Sequence, residues 1–543
     1  MRPVAGWGRA AIILTVIPLA ILFGGRDLWA NRGLPAHLND LAGWRMQRDW
    51  AELVGIDEST TKTGIGVRSA SGRQAYASID NRGATRWHGQ PAFDLAELPG
   101  MMAEVLGGLA SGTAANDSNE PVGWSFGGSG ALSFSVRQHD MVLLGVDDRP
   151  LIPALSWQCN AASAEVAALR SAGAEATVGR IEERFILPKL MWALAQEPAL
   201  RSKVRRAMTT GDWAAYMLTG ACRLSTSDAL SNGLLVQASK QLAADVIANA
   251  GLDPAWFPEV IRSGRVVGKV RAADALPSEW AAIGASLAGW SVVAGLGDNH
   301  ATGVGCGGLV DDATIVVSAG TSGTINRRVR PACKLRGKAS CFEFYDDRML
   351  LMMLADCAAW YERFVATQAG GKRHAELNEL AAAADVTNVR RVRHSPSEAA
   401  ERRETFPPEW SSMSLGEKVA STQLSIVAEL LVRAKAMLAE ADGAPAVTRF
   451  VLTGGLSQSP FFQQAFAAGV AAIAPGAEVL VGAQSDELSY QTAAYGALIN
   501  ALLPAKNGDL AAVCRELCPL KPCRTDAERG EVLRRVAAGF VGA

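Results

Sequence analysis

Two stretches of the chain alternate apolar and polar positions on either side of a short polar turn. In the first, "LVGID" and "TGIGVRSA" flank "ESTTK", which predicts a β-hairpin that begins at about Leu53. In the second, "ATIVVSAGTSGTINRRV", residues 313–329, predicts another hairpin. Laid over each other, Ser59-Thr60-Thr61 falls on Gly320-Thr321-Ser322, so we expect a duplicated architecture.

Helical periodicity separates these strands. It is found in "AELPGMMAEVLGGLA", in "KLMWALAQEPALRSKVRRAM" and in "SLGEKVASTQLSIVAELLVRAKAMLAEADG". The segment "TRFVLTGGLSQSPFFQQAFAAGV" indicates a buried strand, a Gly-Gly turn and a helix that begins near Pro460. The charged, proline-bearing stretch "RRVRHSPSEAAERRETFPPEW" is typical of a surface loop. The mixture of strands and helices predicts an α/β protein.

Composition limits the classes of partner. The chain has 543 residues, with 53 Lys and Arg against 54 Asp and Glu, for a formal net charge of −1. Because this balance gives no general attraction to nucleic acid or to anionic membranes, we expect a small-molecule partner. Nine cysteines are scattered, and the cluster Cys514, Cys518 and Cys523 lacks a histidine and zinc-site spacing. This pattern favours reduced thiols in the cytoplasm.

The N-terminal stretch "AAIILTVIPLAILFGG", residues 10–25, follows Arg2 and Arg9 and resembles a signal-peptide core or a short anchor. It is short for a bilayer, contains Pro18 and lacks a clear cleavage site. A third interpretation, which we favour, is a misassigned start codon, with translation beginning at Met46. Residues 1–45 are then an extension outside the folded protein, and we expect no stable membrane association.

Three turns could present backbone N–H groups to phosphates. "AGTSGT", residues 319–324, and "ESTTK", residues 58–62, combine small residues with hydroxyl donors. A third turn at Gly454-Gly455 leads into a helix N-terminus, where a nucleotide can approach the backbone. Each turn alone is equally explained as an ordinary tight turn, and none is a P-loop. The three together favour a nucleotide site.

"GLGDNHATGVGCGG", residues 295–308, ends an apolar run on Asp298 just before a helix. Taken alone, this position is explained by an N-cap. Yet "GIDESTTKTG", "GDWAAYMLTGACRLSTSDALSNGLL", "GLGDNHATGVGCG", "VVSAGTSGTI" and "VLTGGLSQSPFFQQA" follow the order and spacing of the FGGY carbohydrate kinases. From about Leu53 to about Asn500 the chain resembles that family, and among its members the xylulokinases.

This resemblance implies an α/β fold of two actin-like (ribonuclease-H-like) ATPase domains with an interdomain cleft. The N-terminal domain is expected over 46–290 and the C-terminal domain over 291–543. ATP and Mg²⁺ are expected between the two hairpins, with the sugar mainly on the first domain.

The resemblance also implies roles for individual residues. Asp298 is expected to cap its helix and to act as general base toward a sugar hydroxyl. Asp57 is expected to hold Mg²⁺ through water, although an Asx-turn would also explain it. The expected nucleotide contacts are Thr60, Thr61 and Lys62 at the phosphates, Gly320, Thr321 and Ser322 at the transferred phosphate, and Gly454 and Gly455 at the adenosine.

Departures from the family pattern concern the sugar. Ser59 replaces the glycine of D-x-G-T, which makes the first loop less permissive. "VGWSFGGSGALS", residues 122–133, takes the place of S-G-Q-M-H-G, so that Ser129 stands for the histidine. In "ALSWQCNAAS" Trp157 and Gln158 are retained, whereas Ala161 replaces an arginine. Simple packing would also explain Trp157.

The expected sugar contacts are Ser125, Ser129, Trp157, Gln158, Asp298 and Asn299. Because polar partners are missing, we expect a pocket with fewer charged donors than in the relatives. We also expect a high KM or loose selectivity on D-xylulose, with another ketose or a polyol as a better substrate.

The sequence therefore predicts an ATP-dependent kinase that phosphorylates a primary hydroxyl of a ketose or polyol, in the first place a xylulokinase-like pentulose kinase. A kinase for L-fuculose, another ketose or an erythritol-like polyol is the first alternative. A degenerate family member that binds nucleotide or sugar without turnover is the second, and an actin-like assembly protein, which would lack the G-D-N motif, is the third. A cytoplasmic protein is expected, and a homodimer is compatible with the resemblance.

Overall fold

The computed structural model describes residues 47–113, 122–395, 403–482, 491–523 and 527–542. The apolar extension expected over 1–45 lies outside these residues. Within them, no helix is both long and apolar enough to cross a membrane.

Strands and helices alternate along the chain as expected for an α/β protein. The strands are β1 (Gln47–Glu58), β2 (Lys62–Ser69), β3 (Gln74–Asp80), β4 (Ala84–Trp87), β5 (Gln90–Phe93), β6 (Val122–Ser125), β7 (Ala131–Val136), β8 (Val142–Leu144), β9 (Ala154–Leu155), β10 (Arg206–Met208), β11 (Arg223–Ser225), β12 (Glu259–Ile261), β13 (Val266–Lys269), β14 (Ser291–Gly297), β15 (Thr314–Ala319), β16 (Gly323–Val329), β17 (Lys334–Leu335), β18 (Ser340–Phe344), β19 (Asp347–Leu354), β20 (Arg393–Ser395), β21 (Arg403–Thr405), β22 (Ala441–Asp442), β23 (Arg449–Thr453), β24 (Glu478–Gly482) and β25 (Leu520–Pro522).

The α-helices of the described residues are α1 (Glu97–Ser111), α2 (Ser163–Ser171), α3 (Glu175–Val178), α4 (Ile186–Gln196), α5 (Thr210–Thr219), α6 (Thr226–Ser231), α7 (Ala244–Asn249), α8 (Ala281–Leu287), α9 (Asp298–Gly305), α10 (Ala358–Gln368), α11 (His374–Ala383), α12 (Leu415–Leu438), α13 (Pro460–Ile473), α14 (Thr492–Leu502), α15 (Leu510–Leu517) and α16 (Ala527–Gly542).

Two seven-stranded sheets repeat one topology. The first sheet has the order β13-β14-β7-β1-β2-β3, with β6 beside β1, and the second has the order β18-β19-β16-β15-β23-β24-β25. In the first, β1, β7 and β14 are parallel and β1–β2–β3 are antiparallel. In the second, β15, β23 and β24 are parallel and β15–β16–β19 are antiparallel. The predicted duplication is therefore confirmed, and both predicted hairpins are present.

Helices α9 and α14 pack against each other between strands of the two sheets. A single apolar cluster joins Leu296 and Leu498 to Val316 and Val451. The two helices cross closely, because a Cβ on Gly496 would lie 1.8 Å from the Ala301 carbonyl oxygen. Glycine at this position thus permits the contact that fixes α9, whose first residue is Asp298.

Two details differ from the sequence prediction. The helix expected over "KLMWALAQEPALRSKVRRAM" ends at Gln196, because Pro198 begins a short 3₁₀ helix and Arg206–Met208 forms β10. The predicted domain boundary at 290 would also assign β14 to the second domain, whereas β14 pairs with β7 of the first sheet. We propose instead that the boundary follows α9.

Candidate active site

The first hairpin, β1–β2, has a turn that Ser59 closes. The Ser59 hydroxyl donates to the Lys62 carbonyl oxygen at 2.9 Å and is placed to accept from the Lys62 N–H at 3.2 Å. Ser59 does not have a positive φ, so the serine is accommodated without backbone strain. Thr60, Thr61 and Lys62 are exposed on this turn. The three predicted phosphate contacts are therefore brought together.

The carboxyl ends of β1 and β14 place two aspartates on either side of β7. Asp57 pairs in register with Ser135, and Gly297, just before Asp298, pairs with Val136. The Ser135 hydroxyl donates to Asp57 Oδ1 at 2.8 Å. The carboxyl ends of parallel strands at one edge of a sheet are where α/β proteins bind ligands. Asp57 and Asp298 thus share one edge.

Burial changes the acidity of both groups. It raises the pKa of Asp57 to about 7, and the charge of Asp298 adds to this effect, whereas the Ser135 hydrogen bond opposes it. Burial likewise raises the pKa of Asp298 to about 6, and a hydrogen bond from the Asn299 backbone opposes it. With a pKa of about 6, the Asp298 carboxylate is mostly ionised at pH 7 and is a stronger base than a free aspartate.

Asp298 is not the N-cap of α9, contrary to the prediction. Gly297 occupies the capping position with φ −63° and ψ 152°, and Asp298 is the first helical residue. Its Oδ1 accepts from the Asn299 N–H at 2.8 Å and from Asn299 Nδ2 at 3.3 Å. Because Gly297 already provides the extended backbone of the cap, the capping role does not explain the aspartate.

A buried ion cluster lies directly after β7, and the sequence reasoning missed it. Arg137, 4% exposed, forms ion pairs with Glu58 and with Asp140, the latter at 2.6 Å, and donates to the Ser59 carbonyl oxygen at 3.0 Å. Burial raises the pKa of Glu58 to about 8, although the charge of Arg137 opposes this. The cluster ties the first hairpin to the segment that follows β7.

Lys189 of α4 joins two loops beside this cluster. Its buried ammonium donates to the carbonyl oxygens of His139, Leu155 and Ser156, the last two at 3.1 Å. Burial lowers the pKa of Lys189 to about 8. The residue therefore holds the loop that follows β7 against the loop that carries Trp157.

Trp157 is brought to the first hairpin. The Trp157 N–H donates to Asp140 Oδ1 at 2.8 Å, and the Trp157 indole N–H donates to Thr60 Oγ1 at 3.1 Å. Trp157 is 38% exposed, so packing in the core alone does not explain this residue. Gln158 and Asn299 stay predicted sugar contacts, both adjacent in sequence to residues that the structure places here.

Ser125 and Ser129 do not lie at this edge, which corrects the prediction. Ser129 precedes Ala131, the residue at which β7 begins opposite Leu53 and Ser291. Ala131 lies four residues, about 13 Å along the strand, from Ser135, which pairs with Asp57. Ser125 ends β6, and Gly127 soon after it packs against Trp50 near the amino end of β1.

A motif in the sequence does match the segment that lies beside Asp57. "SVRQHD", residues 135–140, places a histidine four residues after a serine, the spacing of S-G-Q-M-H-G, so His139 and not Ser129 matches it. His139 is buried, stacks on Phe185 with ring centroids 5.1 Å apart, and lies within 3.2 Å of Asn232 Oδ1 through Nδ1. The glycine-rich residues 122–133 form a competing match to the same motif.

The second hairpin, β15–β16, is held through its backbone. The N–H groups of Cys357 and Ala358 at the start of α10 donate to the carbonyl oxygens of Thr321 and Gly320, at 3.1 and 2.8 Å. Thr321 and Ser322 are exposed on the turn. Gly454, with φ 90°, packs so closely that a Cβ would lie 2.5 Å from the Ala319 carbonyl carbon. The predicted nucleotide residues of the two turns are therefore adjacent.

The residues present fit a magnesium ion bound mainly through phosphates and water. In the described part of the chain, no group of three or more His, Cys, Asp or Glu side chains could hold a metal. Mg²⁺ in nucleotide sites typically uses one or two carboxylates together with phosphate oxygens and waters. Asp57, oriented by the hydrogen bond from Ser135, would supply such a carboxylate.

The fold is similar to that of solved sugar-kinase structures. The chain is similar to the crystal structure of a xyloylose kinase from Brucella ovis, with a TM-score of 0.72 and 19% identity over 90% of this chain and 98% of that one. It is similar to a gluconate kinase from Lactobacillus acidophilus, with a TM-score of 0.71 and 16% identity over 91% and 97%. These likenesses establish the two-domain actin-like fold.

Residues 128–305 match the FGGY family of carbohydrate kinases, N-terminal domain. Xylulose kinase from Streptomyces rubiginosus is 28% identical over 323 residues, which cover 58% of this chain and 62% of that protein. The aligned part thus spans less than two thirds of the relative's length. This match and this relative confirm the predicted resemblance to the FGGY carbohydrate kinases over the aligned part of the chain.

Proposed function

We propose that the protein is an ATP-dependent sugar kinase that transfers the γ-phosphate of ATP to a primary hydroxyl of a ketose or polyol. A xylulokinase-like pentulose kinase is the leading form of this proposal. The observation that carries it is the position of Asp298 at the carboxyl end of β14, one strand away from the Asp57–Ser135 pair, with a pKa of about 6.

Asp298 accepts the proton of the sugar hydroxyl as that oxygen attacks phosphorus. The hydroxyls of Thr321 and Ser322 and the backbone of their turn hold the transferred phosphate. Thr60, Thr61 and Lys62 contact phosphates from the first hairpin, and Gly454 and Gly455 contact the adenosine. Mg²⁺, held by Asp57, would supply neutralisation of phosphate charge when bound.

Trp157, Gln158 and Asn299 contact the sugar in this proposal. The first two stand on the loop that Asp140 and Lys189 hold in place. We further propose a cytoplasmic location, which agrees with nine free cysteines. A homodimer stays a prediction.

The non-catalytic alternative loses support. Two of the departures that favoured it were Ser59 and Ser129. Ser59 closes its turn without strain, and Ser129 lies at the other end of β7.

The test is ADP release from ATP and Mg²⁺ over D-xylulose, L-fuculose, L-rhamnulose, D-ribulose, sedoheptulose and erythritol. We expect turnover of at least one, and Asp298→Asn should lower it by about 10²–10⁴ while ATP still binds. Turnover of none by a folded protein that binds ATP would overturn the proposal. Near-normal turnover by a folded Asp298→Asn protein would overturn the assignment of the base.

A further inference from the structure

A cavity of about 460 Å³ opens beside the predicted sugar contacts Trp157 and Gln158. Its other wall comes from residues 180–184, which lead into α4. This second wall contributes Arg184, which belongs to none of the sequence motifs described above. The cavity therefore combines the loop that carries Trp157 with a segment some 25 residues further along the chain.

The Arg184 guanidinium has N–H donors that its described contacts do not use. Its Nη2 forms an ion pair with Glu182 at 2.6 Å, and its Nε is buried without a hydrogen-bond partner among the described residues. Its side chain is 28% exposed. A guanidinium offers five N–H groups in a fixed fork, so several remain for a ligand in the cavity.

Two observations place Arg184 next to the reacting centre. The adjacent Phe185 stacks on His139 at a ring-plane angle of 15°, which fixes the segment against the loop that follows β7. Burial raises the pKa of Asp298, and the positive charge of Arg184 partly opposes this effect; burial lowers the pKa of His139, and the charge of Arg184 adds to it. Arg184 thus lines the cavity and lies within electrostatic range of Asp298.

The cavity is balanced in charge. Arg180 pairs with Glu182 at 2.7 Å, and Arg170 pairs with Glu175 at 2.9 Å. Glu183 also lines the cavity, and within the described residues no ion pair neutralises its carboxylate. The remaining groups are therefore a guanidinium with free donors and a carboxylate that accepts. Such a pair suits hydroxyls, whereas the carboxylate repels an anionic ligand.

We propose that Arg184 is a specificity-determining residue of the acceptor site, and that it donates hydrogen bonds to hydroxyls of a neutral polyhydroxylated acceptor, a ketose or polyol. The inference rests on the proposed function. In this proposal the guanidinium absent at Ala161 is supplied from the segment before α4, so the pocket would keep a charged donor.

The experiment compares Arg184→Met, Arg184→Lys and the control Arg534→Met. Arg534 forms an exposed ion pair with Glu531 at 2.5 Å in α16 and does not line the cavity. Acceptor binding is measured by calorimetry without ATP, and steady-state KM values are measured for acceptor and for ATP. Thermal unfolding verifies that each variant folds.

We expect Arg184→Met to weaken binding of the preferred neutral acceptor about tenfold or more, the loss typical of a charged hydrogen-bond donor. Arg184→Lys should fall between it and the parent, and Arg534→Met should stay within about twofold. The KM for ATP should change little in all three. D-gluconate, an anionic probe, should bind more weakly than the neutral acceptor.

Unchanged acceptor affinity in folded Arg184→Met and Arg184→Lys would overturn the inference. Tighter binding of D-gluconate that depends on Arg184 would overturn its neutral acceptor class. If the parent binds a sugar without turnover, the proposed function fails, yet the calorimetry still decides the role of Arg184.

Discussion

The first hairpin, β1–β2, and the second hairpin, β15–β16, occupy equivalent places in two sheets of one topology, yet they are stabilised by different means. Around the first lie Asp57, Glu58, Arg137 and Asp140, all charged or titratable groups close to one another. The turn of the second contains no ionisable side chain, and backbone N–H groups from α10 hold it.

The difference suggests a division of tasks within a duplicated frame. Titratable side chains at the first hairpin can tune the acidity of groups that take or hold charge, as proton transfer requires. Backbone groups at the second hairpin offer fixed donors, which suit phosphates and do not titrate. Changes at the first hairpin should therefore affect stability and pH dependence, whereas changes at the second should affect nucleotide affinity.

The largest expected effect is that of Arg137→Met. It leaves the Glu58 and Asp140 carboxyls buried without their cation, which should lower the free energy of unfolding by about 3–5 kcal/mol. Chemical denaturation measures this loss. The control Arg82→Met removes an exposed partner of Glu104 and should cost at most about 1 kcal/mol. Equal losses in the two variants would mean that the cluster does not support the first hairpin.

Gly454→Ala should have the next largest effect. A Cβ there would meet the backbone of Ala319 and Gly320 at 2.5–2.7 Å, and φ is 90°, so the second hairpin must shift at a strain of about 1–3 kcal/mol. We expect the KM for ATP to rise about tenfold. Gly455→Ala is the matched control, since its Cβ would meet nothing within 4 Å. Similar KM values for ATP in both variants would contradict this role of the turn.

The pH dependence of kcat/KM tests the titratable groups at the sheet edge where the first hairpin and Asp298 lie. Asp298, with a pKa of about 6, acts as a base only when ionised, so kcat/KM should fall about tenfold between pH 7 and pH 5. The decline is toward acid, because the raised pKa favours the protonated form there. Gly454→Ala should keep the same profile at lower affinity for ATP. A rate independent of pH down to 5 would contradict Asp298 as the base.

The sequence predicted those parts of the fold that local patterns determine. The alternation around "ESTTK" and "AGTSGT" predicts both hairpins because each turn and its strands are contiguous, and the Gly454 turn follows from a buried strand next to two glycines. The same locality explains why Asp57, Thr60 and Thr321 stand where they were expected.

The rest of the candidate site depends on register and long-range packing. The register of β7 against β1 decides whether residues 122–133 or residues 135–140 lie next to Asp57. An alternation of apolar and polar positions does not determine that register. Lys189 and Arg184 reach the site from α4 and the segment before it, through tertiary contacts that no local spacing records. The prediction that Asp298 is the N-cap was wrong by one residue, because Gly297 adopts the extended conformation of an N-cap.

Ser59→Gly should give the smallest effect, and it tests whether the serine restricts the first hairpin. Glycine stands here in the family pattern, but in this chain the Ser59 hydroxyl bonds both the carbonyl oxygen and the N–H of Lys62. Losing it should cost about 0.5–1.5 kcal/mol of unfolding free energy. Steady-state kinetics should change less than about threefold, because Thr60 and Thr61 keep their positions on the turn.

Ser59→Ala, which also loses the hydroxyl but adds no backbone freedom, is the control. A tenfold gain in kcat/KM for Ser59→Gly alone would show that the serine obstructs the approach of phosphate, and that charge is not all that distinguishes the first hairpin from the second.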